Sequence, residues 1–72
     1  MTITTNLLPL AVGEAQAIEV LIDGRVIGKV LRYARDRWPT VKWHWEAANG
    51  GRGEVRTKRE AMDAVVELWT RR

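Results

Sequence analysis

The chain has no cysteine and no phenylalanine, and its 72 residues include a single histidine and two prolines. The missing cysteines exclude disulfides, thiolate metal ligands and thiol nucleophiles together. With His44 as the one imidazole, a structural zinc site has almost no ligands to draw on; neither a metal nor another cofactor is expected. No apolar run approaches the ~20 residues a membrane-spanning helix needs. Leu7-Leu8-Pro9-Leu10-Ala11-Val12 is apolar, but no basic segment precedes it, which argues against a signal peptide. A cytoplasmic protein without membrane contact is the expectation.

Carboxylates are scarce in the middle of the chain. From Arg25 to Arg59 there are ten basic residues against Asp36, Glu46 and Glu54, a net of +7 within an overall charge of +3. The first 24 residues hold only Glu14, Glu19 and Asp23 as charged side chains. Nine of the twelve basic residues are arginine, the side chain suited to bidentate contact with phosphate or carboxylate. Such an imbalance bears on partners more than on fold.

One domain is all that this length permits, and a chain so short buries only about 60% of its unfolded surface. A tight core or a partner subunit must make up the margin; four tryptophans supply the first, and a homodimer would supply the second. Residues 1–16, interrupted by Pro9 and Gly13, read as an N-terminal arm, and residues 17–72 as the single folded domain. Ala17–Ile22 is rich in β-branched residues and runs into Asp23-Gly24, a short hairpin signal. A returning strand follows over residues 25–34. A two-residue turn sets Val20 opposite Ile27, and a three-residue loop sets Ile22 opposite Val26; a slip of one residue exchanges the faces. Gly28 inside that strand implies a bulge or the close approach of another backbone.

Asp36-Arg37-Trp38-Pro39 reads as a loop, because Pro39 drives the residue before it out of helical geometry. Thr40–Ala47 then alternates strictly: Val41, Trp43, Trp45 and Ala47 on one side, Lys42, His44 and Glu46 on the other. Asn49-Gly50-Gly51 marks a turn and Gly53–Arg56 a further short strand. Thr57 and Glu60 have the spacing of a reciprocal helix cap, and Ala61, Val65, Leu68 and Trp69 recur at helical intervals. The fold class is therefore α+β: a three- to four-stranded antiparallel β-meander packed on one C-terminal helix, in the order β-β-β-α.

No catalytic constellation is present. His44 and Glu46 share a strand side, but a general base needs an oriented partner, and such pairs on open strands are ordinarily solvated neighbours. Asn49-Gly50-Gly51-Arg52-Gly53 joins strands and does not precede a helix, so it is no phosphate loop. An enzyme is not expected.

A sheet roofed on its tryptophan side would leave its other side, with the basic residues, free to meet a ligand. A two-stranded ribbon fits a DNA major groove, and Arg52, Arg56, Lys58 and Arg59 around the last hairpin could hold phosphates. The run Lys42-Trp43-His44-Trp45-Glu46, a glycine-bearing turn, a short strand and then Thr57-x-x-Glu60-Ala61-x-x-Ala64 resembles the back half of the ethylene-response-factor type of DNA-binding domain. Related folds serve as arm-binding domains of phage and transposon integrases. The resemblance covers about residues 40–66. It implies a three-stranded sheet that reads DNA with a bracing helix behind, and it makes Arg25, Lys29, Lys42 and Arg56 the contacts borne by the sheet. The expected function is thus a small basic module for nucleic acid, double-stranded DNA before other types, using Arg25, Lys29, Lys42, Arg52, Arg56, Lys58 and Arg59. Trp38, beside Pro39 in a basic loop, is the candidate for contact with a partner. The alternative is a phage- or plasmid-type interaction factor that docks on a host protein complex, since arginine and exposed aromatics dominate such interfaces.

Overall fold

The computed structural model describes residues 1–35 and 42–71. Five strands, β1 (Ile3–Leu7), β2 (Glu14–Ile22), β3 (Arg25–Tyr33), β4 (Trp43–Ala47) and β5 (Arg52–Val55), are followed by one helix, α1 (Lys58–Thr70). The strands form a single antiparallel sheet in chain order, each paired with its neighbour in sequence. The α+β meander with a C-terminal helix is as expected, with one strand more than the three to four anticipated. The addition is β1, from the segment read as an arm: Ile3, Thr5 and Leu7 stand opposite Ile22, Val20 and Ile18. A short, mostly polar strand such as Ile3-Thr4-Thr5-Asn6-Leu7 carries little signal of its own, because it becomes a strand only by pairing with β2.

The first hairpin turns at Asp23-Gly24, both with positive φ (49° and 82°), as a type I′ turn demands. Ile22 therefore faces Arg25 and Leu21 faces Val26, but the next pair is Val20 with Gly28. Ile27 is the extra residue of a bulge, so the two-residue turn is correct and the register it implies ends after Val26. The bulge has a further effect. It reverses the alternation along β3, so that Arg25 lies on the opposite side of the sheet from Lys29.

The helix lies across β3, β4 and β5. Thr57, in extended geometry, caps it by accepting from Glu60 N–H at 3.1 Å. The return half of the expected cap differs, since Glu60 accepts from the Thr57 hydroxyl at 3.1 Å rather than from its backbone. Ala61 and Val65 are fully buried and close a core with Val20, Ile22, Ile27 and Val30. Around it pack Trp43, Trp45, Val55, Met62, Val66 and Trp69. These tryptophans lie on the helix side as expected, but at the margin of the core and half-buried rather than within it. Gly28 is a point of close approach between sheet and helix: a Cβ built there would stand 2.5 Å from the Glu46 carbonyl oxygen and 2.7 Å from Val65 Cγ1. At the other end of the helix Leu68 presses on Gly51, where a side chain would collide with it.

Gly28→Ala is accordingly expected to destabilise the domain by about 1–3 kcal/mol through overpacking, read as a lower urea midpoint at unchanged slope. Lys42→Ala, at an exposed position, should shift the midpoint by less than about 0.5 kcal/mol.

Candidate nucleic-acid interface

The side of the sheet away from the helix has charges of both signs in a fixed order. Glu19, Lys29, Glu46 and Arg52 stand directly opposite one another across β2, β3, β4 and β5. Lys29 Nζ lies 3.2 Å from a Glu46 carboxylate oxygen. Each cation in this row thus has a carboxylate beside it, the favourable cross-strand arrangement. Nor is this side bare, because Ala17, Leu21 and Leu31 are buried on it. Leu31 sits between Ala17 and His44 in the ladder, and the His44 ring meets the Tyr33 ring edge-on at 4.8 Å. The expectation of an open basic face does not hold at Lys29 and Arg52. Alternation along each strand put them there together with glutamates from neighbouring strands, and that pairing is set by register.

Arg25 is not on that side. Carried over by the bulge, it lies on the helix side with its guanidinium 5.2 Å from the centre of the Trp69 ring. Arg32 is placed in the same way over Trp43, at 5.9 Å, and Arg35 over Tyr33, at 4.9 Å. Stacking of this kind contributes about 0.5–1 kcal/mol at exposed sites and leaves the charge intact.

The remaining cations converge. The topology brings the end of β3, the start of β4, the end of β5 and the amino end of α1 to one end of the sheet. Lys42, Arg56, Lys58 and Arg59 come together there, with Arg32 and Arg35 arriving from β3. Lys42 and Arg56 line a shallow groove with Glu54 and Val55. Among the described residues, the carboxylates at this end are Glu14, Glu54, Glu60 and Asp63. Glu14 accepts from Ala11 N–H at 2.8 Å, and Glu60 is engaged in the helix cap. Glu54 pairs with Lys42 at 3.4 Å, and Asp63 touches Arg59 at 4.0 Å. Arg56 and Lys58 have no carboxylate partner among the described residues. The unbonded N–H groups of the first helical turn add their partial positive charge at the same place.

Of the seven expected contacts, then, Lys42, Arg56, Lys58 and Arg59 are brought together, Lys29 and Arg52 join the mixed-charge row, and Arg25 lies beneath the other end of the helix. Trp38 is outside the described residues. Arg32 and Arg35 were not singled out from the sequence, although Arg32-Tyr33-Ala34-Arg35 interleaves cations with an aromatic, a pattern that would have marked them. Among the described residues no three metal-ligating side chains gather, and no helix is long and apolar enough to cross a membrane. Comparison with protein families, characterised proteins and solved structures finds no match.

Since Lys29 is neutralised by its neighbour and both groups are half-exposed, Lys29→Ala should change stability by less than about 1 kcal/mol. A thermal or urea melt of that variant beside the parent protein checks this.

Proposed function

We propose that the protein is a small DNA-binding module that holds the phosphate backbone of a duplex with the cation-rich end of its sheet, not with the sheet face. The observation that carries this reading is the convergence of Lys42, Arg56, Lys58 and Arg59 beside the amino end of α1, with Arg32 and Arg35 held on aromatic rings next to them. Cations held this way serve phosphate oxygens well, and phosphate contacts position a protein without reading bases. The mixed-charge row on the sheet face offers no such surface. Binding is therefore expected to be indifferent to base sequence and strongly sensitive to salt.

With four phosphates neutralised, affinity should fall about tenfold for each doubling of salt. Fluorescence anisotropy with a labelled duplex at two ionic strengths measures this directly. Arg56→Glu combined with Lys58→Glu should abolish binding, and Lys29→Ala should leave it unchanged. Salt-independent binding, or equal loss in all of these variants, would remove the proposal.

A second reading, docking on a host protein complex, draws support from the exposed Leu10 and Val12 at the turn between β1 and β2. A partner whose capture survives nuclease treatment and is lost on Leu10→Ser with Val12→Ser would favour it over the first.

A further inference from the structure

The two edges of the sheet are unlike. At one, β5 has four residues, among them Arg52 and Glu54, and passes directly into the helix. Charge and brevity of this kind keep an edge from pairing with another chain. At the other, β1 has neither charge nor proline along Ile3-Thr4-Thr5-Asn6-Leu7. Its Leu7 side chain is 82% exposed and Ile3 43%.

The hydrogen bonds of β1 show which of its backbone groups are unused. The Thr2 carbonyl accepts from Asp23 N–H at 2.8 Å, and Leu8 N–H donates to the Ala17 carbonyl at 3.0 Å. Even-numbered residues therefore turn their backbone groups toward β2, and Ile3, Thr5 and Leu7 turn theirs toward the free edge. All three also carry their side chains on the helix side of the sheet, in line with Ile22, Val20 and Ile18.

We propose that a second copy of this chain pairs along this edge, β1 against β1, antiparallel about a two-fold axis at Thr5. The pattern of the strand is self-complementary in this register alone. Thr5 faces Thr5, and Ile3 faces Leu7 twice. Every pair joins residues whose N–H and C=O already point outward, which supplies six backbone hydrogen bonds. Apolar side chains meet apolar ones on the helix side, Thr4 meets Asn6 on the other, and no charge opposes a like charge. The axis stands perpendicular to the sheet, so the product is a continuous ten-stranded sheet with both helices on one side. An isologous contact of this form is the commonest kind in homo-oligomers. A five-residue strand pair lies at the small end of specific interfaces, so association in the micromolar range or weaker is the scale to expect.

The inference is independent of the nucleic-acid reading, because none of the converging cations lies on β1. Sedimentation of the full chain from about 1 µM to about 1 mM should show the mass rise from 8.2 kDa toward twice that value. Hydrogen exchange at high concentration should protect the amides of Ile3, Thr5 and Leu7, which exchange freely when dilute. Thr5→Pro removes an outward N–H without touching a bond to β2 and should give a monomer with the parent's circular dichroism. Thr5→Lys, which sets two ammonium groups against each other at the axis, should do the same. A parent chain that stays monomeric at 1 mM would overturn the proposal, and so would a dimer that persists in both variants or leaves those three amides unprotected. If Arg56→Glu with Lys58→Glu lost DNA while still dimerising, the two surfaces would be shown to act separately.

Discussion

The structure depends on the contact at Gly28. There the backbone of β3, the carbonyl of Glu46 on β4 and the methyl of Val65 on α1 approach more closely than any side chain allows. The absence of a Cβ lets the helix settle onto the sheet, and with it Ala61 and the fully buried Val20, Ile27 and Val30. The bulge at Ile27 directs two successive residues toward the helix, one large and one with no side chain. A domain of 72 residues has little apolar surface to bury, so the fit at this one place sets how much of the helix face counts toward stability. The tryptophans then close the margin, where Arg25 and Arg32 cover rings that the helix leaves half open.

The charges sort themselves according to that framework. On the sheet side away from the helix, cations and carboxylates from successive strands face one another and cancel over short distances. At the end where α1 begins, cations from four elements arrive next to the positive pole of the helix; Lys42 and Arg59 meet Glu54 and Asp63 there, while Arg56 and Lys58 have no carboxylate partner among the described residues. On the proposed DNA-binding reading, that end would hold the phosphate backbone, and the flat of the sheet presents a mixed surface instead.

Much of this was legible in the residues, and what was not has a common cause. Asp23-Gly24 specified its turn, the alternation from Trp43 to Ala47 specified which side meets the helix, and Thr57 specified where the helix begins. These are local features, set by residues adjacent in the chain. β1 was not legible because Ile3-Thr4-Thr5-Asn6-Leu7 becomes a strand only beside β2. The placement of Arg25 and Lys29 on opposite sides was hidden because it turns on one extra residue in a ladder, at Ile27. The mixed row of Glu19, Lys29, Glu46 and Arg52 needs three registers at once before its members can be seen to adjoin. Gly28 announced a close contact or a bulge, and it takes part in both.

The strand order has a consequence for the way the chain reaches this structure. Every strand pairs with its neighbour in sequence, so the sheet can assemble hairpin by hairpin, with no strand waiting for a segment from the far end of the chain. Successive hairpins keep the loop closed at each step short, which lowers the entropy cost of pairing. It also leaves the terminal strand held on one side only, with the reciprocal bonds between Thr2 and Asp23 as its outer clasp. Opening of β1 alone is thus the cheapest excursion from the native state, and the remaining strands can outlast it.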